Sequence, residues 1–189
     1  MLAKLNTKVR HLVKMFGDFV VYVAGNEQKP YTQKELELET LPMPTKKVSG
    51  LPQVGDYHFA IKFKGLQEPR KLAFAVERKE VGDFHNTLIM NHKRFNREID
   101  RFRRDPTLQQ FYVFVEGSQI EFLRYIPPVG KNRRRHIKNY EAAKREALWS
   151  LQSRGIHICF NGSRAESCNA MKSLVFQYAV KNWQEWLLL

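Results

Sequence analysis

The chain has 189 residues, with 32 Lys and Arg against 19 Asp and Glu for a formal charge of +13, enough length for one core burying roughly 70% of the unfolded surface and little for two ordinary domains. The basic excess points to a polyanionic partner, nucleic acid ahead of an anionic membrane, since net charge speaks to association and not to fold. No run approaches the ~20 apolar residues of a membrane-spanning helix, and the opening Met1-Leu2-Ala3-Lys4-Leu5-Asn6 lacks a signal peptide's apolar core and cleavage site, so no membrane association is expected and the protein should be soluble and intracellular.

In chain order, Phe19 to Ala24 is a dense β-branched and aromatic run, suited to a central strand buried on both faces. Residues 25–54 carry Pro30, Pro42, Pro44 and Pro52 and read as an irregular connector with a short helix near Gln33 to Glu39. Tyr57 to Phe63 and Leu72 to Val76 are strand candidates separated by a Gly- and Pro-containing turn, with acids at their ends. From about Asp83 to Arg104, Leu88, Phe95, Ile99 and Phe102 fall at helical spacing, and Lys93, Arg94, Arg97, Arg101 and Arg103 lie mostly elsewhere around the axis.

Pro106 ends that helix, and Phe111 to Val115 is a further strand. Residues 124–138, with Lys131, Arg133, Arg134, Arg135 and Lys138 among prolines and Gly130, read as a basic loop. A helix from about Tyr140 to Arg154, a strand at Ile156 to Phe160, and a long helix from Ser163 follow; Ser163 and Glu166 have capping-box spacing. Strands alternating with helices predict an α/β fold, a central mixed β-sheet flanked by helices, in a single domain over 1–189 with its core at about 19–182. Cys159 and Cys168 lack metal or disulfide spacing and are expected as reduced packing residues. His58, His85, His92, His136 and His157 show no ligand spacing and are expected as ordinary surface or half-buried residues. Phe111, Tyr112 and Phe114 are expected in the core and not as a base-stacking platform.

Singly, an Asp after Gly is commonly a turn residue, and a Glu-Arg-Lys triplet is commonly solvated charge. Here Gly55-Asp56 precedes, by about twenty residues, the ordered set Glu77-Arg78-Lys79, three residues, and Asp83. Two acids and a lysine on two apolar segments suit a divalent-metal phosphodiesterase. Together with Asn91-His92-Lys93-Arg94-Phe95, Val115-Glu116-Gly117-Ser118 and Gly155 to Phe160 before Ser163-Arg164, the set resembles the XPF-type nuclease domain, a branch of the PD-(D/E)xK, restriction-endonuclease-like fold, in its small single-domain bacterial and phage versions.

The resemblance implies a Mg²⁺-dependent DNA endonuclease, with Mn²⁺ as a substitute, serving repair, recombination or phage DNA processing, and acting on branched or single-strand/duplex junctions by analogy. Such a protein would work in the cytoplasm, associated with a nucleoid or within an infected host cell. Asp56 and Glu77 would hold metal, Lys79 would contact the attacking water or scissile phosphate, and the carbonyl of Arg78 would be a further ligand. Asp83 and Glu27 would be supporting or second-metal groups. Glu77 and Lys79, two apart on a strand, leave one face while Arg78 leaves the other. Lys93, Arg94, Arg97 and Arg101, with Lys131, Arg133, Arg134, Arg135 and Lys138, would contact phosphates without reading bases. A homodimer or a partner subunit is the expected assembly. The family's first strand ends in Asp, one residue, Arg and Glu, whereas this chain has Ala24-Gly25-Asn26-Glu27; that departure motivates an alternative, a DNA-binding protein that keeps the fold without turnover. A regulatory or RNA-binding module is a third reading.

Overall fold

The computed structural model describes residues 19–25, 27–36, 45–48, 54–62, 67–127 and 137–187, with backbone alone for 47–48, 137–139 and 183–187. Its strands are β1 (Phe19–Ala24), β2 (Thr45–Val48), β3 (Tyr57–Ile61), β4 (Arg70–Glu80), β5 (Gln110–Glu116) and β6 (Ile156–Phe160). The helices are α1 (Gln33–Leu36), α2 (Val81–His85), α3 (His92–Arg104), α4 (Gln119–Arg124), α5 (Ile137–Ser153) and α6 (Arg164–Leu187). The strands form a six-stranded sheet in the order β2-β1-β3-β4-β5-β6. It is mixed, because β1 runs antiparallel to β3 while β1–β2, β4–β5 and β5–β6 are parallel. The expected α/β class with a mixed sheet and flanking helices is what the chain adopts.

Chain contacts divide into two compact units. In the first, β1 is held between β2 and β3, as its two-sided apolar run predicts, with Val21 opposite Thr45 on one side and Phe59 on the other. Every β1 residue but Tyr22 is buried. The Tyr57 hydroxyl accepts the Tyr31 N–H at 2.9 Å, fixing the segment ahead of α1, and the buried Cys168 thiol donates to the Glu35 carbonyl. Cys159 and Cys168 are both free thiols.

In the second unit, alternate residues of β5 sort onto two faces. Phe111, Val113 and Val115 join Phe84, Leu88, Phe95, Ile99 and Phe102, together with Leu148, Leu151 and Ile156, in one apolar cluster. Each fully buried side chain of this size contributes roughly 1.5–3 kcal/mol, so this face dominates the unit's stability. Phe114, also buried, leaves the other face, where Tyr112 lies half-buried, stacked on His157 at 4.8 Å. Gly117 admits no side chain, because a Cβ there would lie 2.2 Å from Val81 Cγ2.

Several boundaries differ from the sequence reading. Strand β4 runs on to Glu80, past the expected end at Val76, because β5 pairs with it through Glu80 opposite Glu116. Glu77 therefore lies within a strand and not at its end, while Asp56 sits at the end of one, immediately ahead of β3. The predicted 83–104 helix is interrupted by a π-helical turn at Asn86–Met90 and by Asn91, whose backbone leaves helical angles. The connector contains β2, and α4 escaped prediction although Ser118 and Glu121 form its capping box. Helix α5 begins at Ile137, so Lys138 lies in a helix and not in a loop. Residues 128–136, with Lys131, Arg133, Arg134, Arg135 and His136, are outside the described residues, as is Asn26.

His85 is a correction of another kind: it is fully buried. It ends α2 with its ring against Tyr125 and Tyr140, at 5.3 and 5.7 Å between centroids. Nearby, the buried Lys144 ammonium donates to the carbonyls of Phe122, Leu123 and Tyr125, satisfying orphan acceptors at the end of α4. Among the described residues, no helix is long and apolar enough to cross a membrane.

Candidate active site

The site is built around β4, and its parts all fall in the second unit. Gly55 takes φ +71°, and a Cβ on it would come within 2.9 Å of the Val76 carbonyl oxygen. The position therefore requires glycine twice over, for its left-handed backbone and for its close approach to β4. This turn delivers Asp56 onto the strand. The Asp56 N–H donates to the Val76 carbonyl at 2.8 Å, and its Oδ2 accepts the Arg78 N–H at 2.9 Å. Two bonds to alternate β4 residues thus lock a carboxylate that is 8% exposed.

Strand alternation does the rest. Ala75, Glu77 and Lys79 share the face of Phe111, Val113 and Val115, their partners in register. Glu77 is 5% exposed and accepts an ion-paired hydrogen bond from Lys79 Nζ. Burial pushes the Glu77 carboxyl well above the usual carboxylate range; the Asp56 and Glu98 charges push the same way and Lys79 opposes them. For Lys79, burial would favour the neutral amine, but Glu77, Asp56 and Glu98 outweigh it and raise its pKa, keeping the ammonium charged.

Arg78 leaves the opposite face, where its Nη1 pairs with Glu116 at 2.7 Å; Arg164 reaches the same carboxylate at 3.7 Å. The Arg78 side chain is thus structural, and its main-chain N–H is what donates to Asp56. Asp83 is exposed in the first turn of α2 and is not part of the buried cluster. Glu27 belongs to the first unit, where it accepts the Lys29 N–H at 2.9 Å in the turn after β1. Lys93, Arg94, Arg97 and Arg101 are all exposed along α3, whose Phe95, Ile99 and Phe102 are buried.

Sequence reading missed Glu98. On α3, its Oε1 accepts the Gly55 N–H at 2.8 Å, and its charge acts on both Glu77 and Lys79. Its one sequence signal is an acid among arginines, four residues after Arg94 and three before Arg101, which reads as an intrahelical ion pair.

Among the described residues, no three Asp, Glu, His or Cys side chains are gathered closely enough to cage a metal ion. The donors that are present suit a hard divalent cation. Asp56, Glu77 and Glu98 bring three carboxylates against the single ammonium of Lys79, and two of them are buried. Mg²⁺ is commonly held by one or two carboxylates, with waters and substrate phosphates completing its shell, so a full protein cage is not required.

A family model, the ERCC4 domain, matches residues 4–174. Among solved structures, the chain is similar to XPF from Aeropyrum pernix at 22% identity and a TM-score of 0.49, covering 82% of this chain and 59% of that one. It is also similar to XPF from Aeropyrum pernix in complex with DNA, at 21% identity and a TM-score of 0.49, covering 89% of this chain and 72% of that one. The chain thus spans 59% of the length of the first of these. No curated protein matches it.

Proposed function

The chain belongs to the ERCC4 domain family, the XPF-type nuclease domains, and on that footing we propose that it is a divalent-metal-dependent endonuclease that hydrolyses DNA phosphodiester bonds. The observation that carries the reading is that Asp56, brought in from a separate segment of the chain, meets Glu77 and Lys79 on β4. Asp56, Glu77 and the main-chain carbonyl of Arg78 are the groups to hold the metal, with Asp83 as a supporting or second-metal group. Bound there, Mg²⁺, or Mn²⁺ in its place, supplies a water acidified toward neutral pH and a Lewis acid for the phosphate.

The protein groups then have distinct tasks. Asp56 is held rigid by two main-chain bonds, so little reorganisation accompanies binding of a cation. Glu77 gives up any proton it holds when it ligates. Lys79 keeps its charge beside Glu77, placed to stabilise negative charge that accumulates on the scissile phosphate. Lys93, Arg94, Arg97 and Arg101 present a cationic stripe for the DNA backbone, and Lys131, Arg133, Arg134, Arg135 and Lys138 are proposed to extend it. Preference for branched or single-strand/duplex junctions, a role in repair, recombination or phage DNA processing, cytoplasmic location, and pairing with a second copy or a partner subunit complete the proposal.

A second reading rests on Ala24, a buried residue of β1 at the position where the family carries Asp: a DNA-binding protein on the same fold that has lost turnover. Labelled linear, single-stranded and branched DNA incubated with the purified protein, with Mg²⁺ or with chelator, separates the two. Metal-dependent cuts that vanish in Glu77→Ala support the nuclease; retarded, intact DNA in every lane supports the binder.

A further inference from the structure

We propose that Glu98 is a positioning residue for the metal-binding acids, acting through the Gly55 N–H. The inference rests on the nuclease reading and adds to it a residue outside the Gly-Asp and Glu-Arg-Lys motifs. The turn is pinned at two successive amides: the Gly55 N–H donates to Glu98 Oε1 at 2.8 Å, and the next N–H, of Asp56, donates to the Val76 carbonyl at 2.8 Å. With φ +71°, Gly55 is the most permissive residue in the turn, and such a residue holds one conformation only when its neighbours impose it. Glu98 imposes it from one side and β4 from the other. An ionised acceptor makes this hydrogen bond stronger than a neutral one would.

The location of Glu98 gives the bond a functional meaning. It stands on α3 between the buried stripe of Phe95, Ile99 and Phe102 and the exposed Arg94 and Arg101. One rigid helix therefore carries both the proposed phosphate contacts and the anchor of the Asp56 turn. Groups that orient metal-binding side chains typically change metal affinity about 10- to 100-fold when removed.

Glu98→Met keeps an unbranched stem for packing and removes the acceptor; Glu98→Gln keeps an acceptor oxygen. Three quantities are measured on the whole chain: amide hydrogen exchange over residues 54–57 without metal, Mn²⁺ affinity by electron paramagnetic resonance titration, and kcat and KM on DNA. The expected result for Glu98→Met is exchange at Gly55 faster by about tenfold, Mn²⁺ affinity weaker by about tenfold, and a lowered kcat with unchanged KM. Glu98→Gln should recover all three to within about threefold. Native exchange and Mn²⁺ affinity in Glu98→Met would overturn the proposal, as would a Gln variant as impaired as the Met variant. Glu98→Ala gives the same comparison should the methionine variant not fold. Unchanged Mn²⁺ affinity in Asp56→Asn and Glu77→Gln would sink the metal-site reading itself, and that outcome is separable because amide exchange reports on Glu98 with no metal present.

Discussion

Replacing His85 with Phe should make this protein more stable, and more so in acid. The imidazole is fully buried, and neither Nδ1 nor Nε2 has a hydrogen-bond partner among the described residues. A neutral imidazole carries one donor and one acceptor, and each buried group left unsatisfied costs about 1–3 kcal/mol. Phenylalanine removes both while keeping an aromatic ring against Tyr125 and Tyr140; its extra volume costs back about 1 kcal/mol or more by overpacking. The net gain at pH 7 should be about 1–3 kcal/mol, or roughly 3–10 °C in Tm for a chain of this size. Burial first, and repulsion from Lys144 second, hold the His85 pKa below its ordinary 6.5. Below pH 6.5 the unfolded chain takes up a proton that the folded chain resists, so stability is lost as pH falls from 6.5 toward the lowered value. The variant lacks that loss, and its advantage should widen between pH 7 and pH 5.5. Thermal unfolding of both proteins at the two pH values is the assay. A lower Tm for the variant at pH 7, with the same gap at pH 5.5, would show that the imidazole is satisfied in solution and would refute the reasoning.

Mg²⁺ at about a hundred times its Kd should stabilise the native protein by about 2.7 kcal/mol through mass action, and Asp56→Asn should abolish the shift in a thermal melt; an unchanged shift would place the ion elsewhere. Because Glu77 has a raised pKa, Mg²⁺ binding should release a proton and tighten as pH rises through the window above the ordinary 4.5, which calorimetry in buffers of different ionisation heat can read. Lys79→Met should lower kcat by about 10²–10³-fold with DNA affinity changed little, in single-turnover and filter-binding measurements. If the four exposed cations Lys93, Arg94, Arg97 and Arg101 on α3 each meet a phosphate, they give a slope of about −4 in log affinity against log salt, and Arg97→Ala should reduce its magnitude by about 1.

Strands β1 and β6 were legible to the residue, because β-branched runs bounded by turn residues have one sensible conformation. Asp56, Glu77 and Lys79 were legible because the motif spacing and the period-two alternation of a strand coincide there. What escaped depends on tertiary context. The extension of β4 comes from pairing with β5, which local propensity does not encode. The interruption at Asn86–Met90 leaves no mark in the apolar pattern, since Leu88 and Phe95, both in the same apolar cluster, keep the spacing of a continuous helix. His85 looked like a surface residue because burial of an unpartnered imidazole runs against the ordinary rule for polar groups. Glu98 was hidden by its neighbours: amid arginines a carboxylate looks like a local ion-pair partner, while its bond is to a residue 43 positions away.

The alternation along β4 makes this strand intolerant of changes in length. Glu77 and Lys79 point to one side and Arg78, bound to Glu116, to the other. Deleting one residue between Leu72 and Val76 would rotate every later side chain of β4 to the opposite surface, driving the guanidinium toward Asp56 and Glu98 and the Glu77 carboxyl toward Glu116. Natural variation in chain length should therefore accumulate ahead of Arg70, in the β3–β4 link, where an added residue changes no side chain's facing.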